Sequence, residues 1–181
     1  DSIAADSLAD LSDADRARVK LVWVNSPGNP TGIVRNVAEL KSLVDDARSL
    51  GAVVASDECY AELGWGEYEN GVPSVLEEAI CGGDHTDLLS VYSLSKQSNV
   101  AGYRAAFVAG APNLMPTLIN SRKHAGMIVP APVQDAMRAA LADEAHVAAQ
   151  KALYRARREA LIPALEGFGL RIEDSVAGLY L

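Results

Sequence analysis

Apolar residues along this chain fall into short, nearly continuous runs, separated by segments in which they recur at helical spacing. Residues 36–50 have apolar side chains at Val37, Leu40, Val44 and Ala47, which predicts a helix that stops at Gly51. A short helix is predicted near residues 74–80. The apolar runs are typical of buried strands: KLVWVNS (20–26), AVVASDE (52–58), DLLSVYS (87–93) and AAFVAG (105–110). This alternation predicts an α/β protein with a mostly parallel sheet whose faces are covered.

The pattern becomes mainly helical after Pro112. We predict a helix to about Ala125, one long helix over residues 132–165, and two short strands in GLRIED and AGLYL near the end of the sequence. Residues 1–18 are polar, as in a surface connection or a ragged helix. We expect residues 1–140 to belong to one large domain, and residues 141–181 to form a connecting helix and the incomplete start of a smaller domain. Trp23, within the first apolar run, is expected in the core.

Composition narrows the function classes. The net charge of −8 is spread along the chain, which argues against nucleic-acid and anionic-membrane binding because both need a basic face. Neither a membrane-spanning run nor a signal peptide is visible. Cys59 and Cys81 lack the spacing of a zinc site or a disulfide framework, which favours a reducing cytoplasm. The three histidines have no carboxylate or cysteine at the spacing of metal ligands. We interpret them as surface residues or as polar residues with satisfied hydrogen bonds: His85, His124 and His146.

Both ends of the sequence indicate a fragment of a longer protein. The first residue is Asp1 rather than methionine, and Leu181 lies inside the apolar run AGLYL.

Polar residues follow three of the predicted strands, at 25–32, 57–60 and 93–104. Each loop alone has a plain explanation: a turn rich in proline and glycine, a helix cap, or a solvated cation. Because ligands bind at the carboxyl ends of parallel strands, the loops are better considered together. An aldehyde cofactor such as pyridoxal phosphate needs an amine, an acid for its ring nitrogen and donors for its phosphate. The chain offers these groups in Lys96, Asp57, Arg104, Ser93 and Ser95.

The ordered motifs NPTG (29–32), DECY (57–60), SLSK (93–96) and GYR (102–104) resemble those of the fold-type I pyridoxal-phosphate aminotransferases of classes I and II. The resemblance implies that Lys96 binds the cofactor covalently and later moves a proton, and that Asp57 pairs with the ring nitrogen. It implies that Asn29 and Tyr60 bind the phenolic oxygen, and that Ser93 and Arg104 hold the phosphate with help from Ser95. It also implies an α/β/α sandwich with a small α+β domain, and a homodimer.

Members of this family are about twice as long as this sequence. The Gly/Ser/Thr phosphate loop and the aromatic that stacks on the cofactor ring would lie before it, and the arginine for the substrate carboxylate would lie after it. If the protein really ended at Asp1 and Leu181, we would expect no transamination by it alone. Within the family, the chain is most similar to actinobacterial N-succinyldiaminopimelate aminotransferases, which use N-succinyl-LL-2,6-diaminopimelate and 2-oxoglutarate.

Other interpretations of the same residues remain. SLSK is also the S-x-x-K motif of serine β-lactamases, with Ser93 as nucleophile, but the S-D-N and K-T-G elements are absent from the sequence. The glycines of an NTPase loop are absent as well. An aspartate or aromatic aminotransferase of the same family, or a non-catalytic pyridoxal-phosphate sensor domain, stays open. Trp65 and Tyr68 could lie near a substrate entrance or a partner subunit, or simply pack.

Overall fold

The computed structural model describes residues 8, 10–173 and 175–181. Its centre is a four-stranded sheet in the order β1-β2-β3-β4. The strands are β1 Leu21–Asn25, β2 Val53–Asp57, β3 Leu88–Ser93 and β4 Ala106–Gly110. The first three are parallel and β4 is antiparallel to β3. The mostly parallel sheet predicted from the apolar runs is therefore confirmed.

Seven helices accompany the sheet in the part of the chain described. They are α1 Asp13–Arg16, α2 Val37–Ser49, α3 Glu78–Cys81, α4 Leu94–Gln97, α5 Met115–His124, α6 Ala131–Leu141 and α7 Glu144–Gly167. Single 3₁₀ turns occupy Gly66–Tyr68 and Ala101–Tyr103. None of the helices in the described ranges is long and apolar enough to cross a membrane.

The start of α2 shows why its sequence prediction succeeds. The Asn36 side chain accepts from the Glu39 backbone N–H, and the Glu39 carboxylate accepts from the Asn36 N–H, which forms a capping box. At the other end Gly51 has φ +62°, a conformation that glycine adopts without strain. The helix predicted near residues 74–80 is also present, but it begins later, at Glu78.

The core lies between one face of the sheet and helices α2 and α3. Residues of β1, β2 and β3 that share one face of the sheet point into it, in accordance with the period of two of a strand. The buried apolar side chains of this cluster include Val22, Val24, Leu40, Leu43, Val44, Ala47, Val54, Val75, Ile80 and Leu88. Arg48 of α2 also donates from both terminal nitrogens to the Cys81 carbonyl at 3.1 Å, which joins α2 to α3.

The opposite face of β1 is open, and the prediction of Trp23 as a core residue is wrong. Leu21 and Trp23 remain 55% and 49% exposed. The described residues place no element over this part of the sheet, so the apolar run has only one buried face. Asn25 and Asp57 end their strands on this same side of the sheet, which is open at β1, because they alternate with the core residues Val24 and Val54.

The single long helix predicted over residues 132–165 is instead two helices, α6 and α7. The break falls at Ala142 and Asp143. The Asp143 carboxylate accepts from the backbone N–H groups of Ala145 and His146 at 3.0 and 3.2 Å. This N-cap starts a second helix within an otherwise continuous helical composition.

The two strands predicted in GLRIED and AGLYL are not found in the described residues 169–173 and 175–181. Ala177 makes only an isolated antiparallel bridge with Gly64. Around it, the Trp65 N–H donates to the Val176 carbonyl at 2.9 Å and the Gly178 N–H donates to the Leu63 carbonyl at 2.8 Å. The segment pairs with a loop rather than a strand, so no ladder extends from the bridge. Residues 1–7 and 9 of the predicted polar start lie outside the described residues.

Candidate active site

The carboxyl ends of the parallel strands meet at one edge of the sheet. Asn25 is opposite Asp57 in the β1–β2 register, and Asp57 is opposite Val91 in the β2–β3 register. The Ser26 N–H donates to the Asp57 carbonyl at 3.2 Å, which holds the two strand ends together. Ser93 ends β3 and starts α4, the short helix that carries Lys96.

Asp57 and Lys96 act on the same neighbour, the thiol of Cys59. The Asp57 carboxylate accepts from the Cys59 backbone N–H at 3.1 Å. Burial, followed by hydrogen bonding and charge from Asp57, raises the pKa of Cys59 to about 12, while the positive charge of Lys96 opposes this shift. The thiol therefore stays protonated near neutral pH and is a poor nucleophile. The Asp57 carboxylate and the Lys96 amine thus have opposite effects on one thiol.

Glu58, next to Asp57, points into the opposite face of the sheet. It is 4% exposed and accepts from the Ser74 hydroxyl, the Val75 N–H and the Ser90 hydroxyl at 2.8, 3.0 and 2.7 Å. The carboxylate is thus satisfied by neutral donors, and it fixes the segment before α3 to β3. The two acids of DECY consequently have different tasks, one at the candidate site and one in the fold.

Two serine hydroxyls lie at the start of α4. The Ser93 hydroxyl accepts from the Ser95 N–H at 3.2 Å and lies 2.8 Å from the Ser95 hydroxyl oxygen. It is also 3.3 Å from the Ala105 carbonyl, which brings the turn containing Arg104 beside α4. These contacts place both hydroxyls on the turn that carries Lys96.

Tyr60 contacts both Lys96 and Tyr180. The Lys96 Nζ is 5.8 Å from the centroid of the Tyr60 ring. The Tyr60 and Tyr180 hydroxyl oxygens are 3.2 Å apart, and their rings pack edge to face. Burial and then the contact with Tyr180 raise the pKa of Tyr60 above its usual value, so its hydroxyl keeps its proton. Tyr180 was missed by sequence reasoning, because nothing in AGLYL signals a partner 120 residues away.

Arg104 and Asn29 lie at the rim of this group. Arg104 has a left-handed backbone with φ 53°, and its exposed guanidinium donates to the Ala101 carbonyl at 3.1 Å. Asn29 is exposed and, with Trp23 and Asn25, lines a cavity of about 560 Å³ on the open face of β1. The structure therefore gathers Asp57, Tyr60, Ser93, Ser95 and Lys96, and leaves the side chains of Asn29 and Arg104 at the edge.

Trp65 packs rather than lining an entrance in the described chain. It is 6% exposed and clusters with Tyr60 and Leu63. Its indole N–H donates to the Gly178 carbonyl at 2.9 Å.

The gathered side chains fit the requirements of pyridoxal phosphate. One half-buried amine and one carboxylate at a strand end can serve the aldehyde and the ring nitrogen. Paired hydroxyls at the start of α4, with a guanidinium in the adjoining turn, are suitable donors for a phosphate. The phenol of Tyr60 remains a neutral hydrogen-bonding group for an oxygen on the ring.

Comparison with known proteins agrees with this chemistry. The family model described as "Aminotransferase class I and II" matches residues 3–181. The 4-dedimethylamino-4-oxo-anhydrotetracycline transaminase OxyQ of Streptomyces rimosus is 54% identical over 163 residues, which are 90% of this chain and 45% of that protein.

Two solved structures share the fold. An aminotransferase from Neisseria meningitidis is 35% identical with a TM-score of 0.85, over 95% of this chain and 43% of that one. The N-succinyldiaminopimelate aminotransferase of Mycobacterium tuberculosis is 26% identical with a TM-score of 0.82, over 98% and 44%. The chain thus spans less than half the length of these relatives.

Proposed function

This chain belongs to the class I and II aminotransferases, a pyridoxal-phosphate-dependent family, and on that premise we propose that the full-length protein is a transaminase that uses Lys96. It moves an amino group between an amino acid and a 2-oxo acid. The observation that carries the proposal is the position of the Lys96 amine, 5.8 Å from the Tyr60 ring centroid at the edge where Asp57 ends β2.

The roles of the residues follow from their chemistry and position. When bound, pyridoxal phosphate supplies a reactive aldehyde and an electron-withdrawing ring. The Lys96 Nζ provides the nucleophile and afterwards accepts and returns a proton at the substrate α-carbon. The Asp57 carboxylate holds the proton of the ring nitrogen. Further hydrogen bonds to the cofactor come from Asn29, Tyr60, Ser93, Ser95 and Arg104.

Two of the assigned residues lie on loops. The exposed Arg104 guanidinium donates to the Ala101 carbonyl, and the contact of the Ser93 hydroxyl with the Ala105 carbonyl holds this turn beside α4. Asn29 lines the 560 Å³ cavity together with Asn25, the residue opposite Asp57 in the β1–β2 register. Both loops thus bring polar groups to a site built on the sheet.

The assembly is proposed on the same family resemblance. We propose a cytoplasmic homodimer, with residues 1–140 in the large domain and residues 141–181 at the start of the small domain. Sedimentation of the full-length protein at several concentrations tests this assembly, and a monomer at all of them would contradict it.

For the substrates, we propose N-succinyl-LL-2,6-diaminopimelate as amino donor and 2-oxoglutarate as acceptor. Similarity to the N-succinyldiaminopimelate aminotransferase of M. tuberculosis supports the donor, and the acceptor is proposed from the family resemblance. A second candidate is the amination of a ketone on a fused-ring substrate, favoured by the 54% identity to the S. rimosus transaminase.

Reduction by borohydride tests the covalent role of Lys96. The full-length protein loaded with pyridoxal phosphate should show the absorption band of a lysine-bound cofactor, and borohydride should abolish it and leave the cofactor attached to Lys96. Lys96→Ala should lose the band, whereas Lys41→Ala, at an exposed lysine paired with Asp45, should keep it. An unchanged band in Lys96→Ala would overturn the proposal.

A donor comparison tests the substrate. With 2-oxoglutarate as acceptor, turnover of the succinylated diaminopimelate should exceed that of aspartate and of aromatic amino acids. Equal turnover of aspartate would reject the narrow assignment and leave the transaminase itself. Amination of a fused-ring ketone, without turnover of the succinylated donor, would establish the second candidate.

A further inference from the structure

A line of hydrogen bonds runs from the end of β3 to the first turn of α7, past the helix turn that carries Lys96. The Tyr92 hydroxyl donates to the Gln97 Oε1. The Gln97 Nε2 then donates to the Ser98 Oγ at 3.2 Å, and the Ser98 Oγ lies 2.8 Å from the His146 Nε2. We call these four residues the Tyr92–His146 chain.

The contacts of His146 Nδ1 with Asp143 set the tautomer of this histidine. Its Nδ1 is 2.5 Å from the Asp143 carbonyl oxygen and 3.6 Å from an Asp143 carboxylate oxygen. Both oxygens are acceptors, so Nδ1 carries a hydrogen, and in this tautomer Nε2 accepts from the Ser98 hydroxyl. Ser98 is then free to accept from Gln97. Each group in the chain donates to the next acceptor without conflict.

The α4 turn, which the Tyr92–His146 chain of hydrogen bonds contacts, forms few hydrogen bonds of its own. Helix α4 comprises only Leu94–Gln97 and closes with the Ser98 N–H on the Leu94 carbonyl at 3.0 Å. A single turn forms one hydrogen bond for the several dihedral angles it fixes, so it is marginal without tertiary contacts. Gln97, which directly follows Lys96, is 5% exposed, and its amide oxygen and amide nitrogen each make one hydrogen bond within the Tyr92–His146 chain.

His146 brings a contact from a distant part of the sequence. It lies 48 residues beyond Ser98 and is held by the Asp143 cap that begins α7. The position of α7 is thereby linked to the backbone on the C-terminal side of Lys96. A displacement of that turn would move the Nζ relative to Tyr60 and Asp57.

We propose that His146 is a positioning residue for Lys96, an inference that rests on the covalent role of Lys96 proposed above. Its Nε2 accepts from the Ser98 hydroxyl and so orders Gln97 and the α4 turn. Because proton transfer requires a donor and an acceptor at a defined separation, a loosened turn lowers the turnover number more than the Michaelis constant.

The tautomer of His146 can be tested in protein that contains no cofactor and without a measurement of turnover. Nitrogen NMR of ¹⁵N-histidine-labelled, cofactor-free full-length protein should show His146 protonated on Nδ1 and unprotonated on Nε2. Ser98→Ala should shift the Nε2 resonance and leave that of His124 unchanged. A hydrogen on Nε2, or no response to Ser98→Ala, would overturn the proposed hydrogen-bond direction and with it the proposal.

Kinetics of the cofactor-loaded protein test the positioning role. His146→Ala should lower kcat about tenfold with a smaller change in KM, as expected for a misplaced catalytic group. His146→Gln should restore most of the loss, because its amide oxygen can accept from Ser98. The double variant His146→Ala/Ser98→Ala should be no worse than either single variant, which is the sign of one shared interaction. His124→Ala, at an exposed histidine, is the matched control.

The outcomes separate the two proposals. If the wild-type protein forms the lysine-bound band and transfers amino groups but His146→Ala keeps its kcat, only the positioning role is overturned. The same conclusion follows if His146→Gln is as damaging as His146→Ala, or if the losses in the double variant add. If the wild-type protein shows neither the band nor transfer, the transaminase proposal fails and the role of His146 fails with it.

Discussion

The hydroxyl oxygens of Tyr60 and Tyr180 lie 3.2 Å apart, although 120 residues separate them in the sequence. The centroid of the Tyr60 ring also lies 5.8 Å from the Lys96 Nζ. Arg158 of α7 holds the segment containing Tyr180, with hydrogen bonds to the Ser175 carbonyl at 2.7 Å and the Tyr180 carbonyl at 3.1 Å. The residues at the end of the sequence therefore support the loop beside the candidate lysine.

Tyr180→Phe should destabilise the full-length protein by about 1 kcal/mol, because it removes one partly buried hydrogen bond and keeps the ring packing. The pKa of Tyr60 should fall toward its ordinary value but remain raised by burial. Urea unfolding measures the first effect, and NMR of Tyr60 labelled at its phenolic carbon measures the second. Tyr103→Phe, at a tyrosine that is 56% exposed, is the control and should leave both unchanged. An unaltered Tyr60 titration in Tyr180→Phe would contradict the contact.

Glu58→Ala should destabilise the protein by about 3 kcal/mol or more. The change leaves the Ser74 and Ser90 hydroxyls and the Val75 N–H without their acceptor, and unsatisfied buried groups are costly. Urea unfolding provides the measurement. Glu62→Ala, at an exposed glutamate of the same loop, should change stability by less than about 0.5 kcal/mol. Equal losses in the two variants would show that Glu58 does not support the fold in this way.

Local patterns in the sequence predicted the sheet and its helices well because they act over a few residues. The capping pair Asn36 and Glu39 identifies the start of α2, and the apolar runs identify each strand. The same local reasoning failed where the outcome depends on what covers a surface. Trp23 has the neighbours of a buried strand residue, yet the pleat turns it to a face that the described residues leave open.

The sequence predicted those residues of the candidate site that directly follow a strand. Asp57, Ser93 and Lys96 follow apolar runs, so the parallel register brings them to one edge. Tyr180 and His146 reach the same region through contacts with residues that lie 120 and 48 positions earlier in the sequence. No hydrophobic periodicity predicts contacts at such separations. The break at Asp143 was missed because its capping bonds outweigh a composition that favours one continuous helix.

Glu69 should make stability depend on pH in the acidic range. Hydrogen bonds from Arg155 at 2.6 and 2.9 Å, with a further contribution from Lys151, lower the pKa of Glu69 from 4.5 to about 2. A carboxyl whose pKa is lower in the folded state stabilises the fold fully above its unfolded pKa, and this contribution disappears as pH falls from about 4.5 toward 2. Because the side chain is 35% exposed, solvent screens the pair and the contribution is about 1 kcal/mol.

Glu69→Gln should therefore be less stable than the wild type at pH 7, and the difference should shrink between pH 4.5 and pH 2. Urea midpoints at pH 7, 4 and 3 measure this convergence. The urea midpoint of Glu67→Gln, at an exposed neighbouring residue, should change with pH in the same way as that of the wild type. A constant difference between Glu69→Gln and the wild type at every pH would contradict the ion-pair explanation.

Asp57→Asn should lower kcat of the cofactor-loaded protein by at least about 100-fold, because an amide cannot stabilise a proton on the ring nitrogen as a carboxylate does. Steady-state kinetics measure the change, and the absorption band should persist because Lys96 is intact. Asp45→Asn, at an exposed acid of α2, is the matched control and should keep full turnover. Full turnover in Asp57→Asn would remove Asp57 from the proposed site.

Gly110→Ala should destabilise the protein more than an alanine substitution at a glycine of positive φ that has open space around it. Gly110 has φ +95°, and a Cβ there would lie 2.2 Å from the Leu88 carbonyl oxygen in β3. The clash is with backbone, so β4 would have to separate from β3, at a cost of about 3 kcal/mol or more.

Gly83→Ala is the control that separates the strain of a positive φ from steric crowding, because Gly83 has φ +78° with nothing within 4 Å of the added atom. Gly83→Ala should lower the free energy of unfolding by about 1 kcal/mol, measured like Gly110→Ala by urea unfolding of the full-length protein. If the two variants lose the same stability, the close approach of β3 and β4 does not limit this position. A much larger loss in Gly110→Ala would show that the antiparallel strand is held against β3, the strand whose end leads directly into the Lys96 turn.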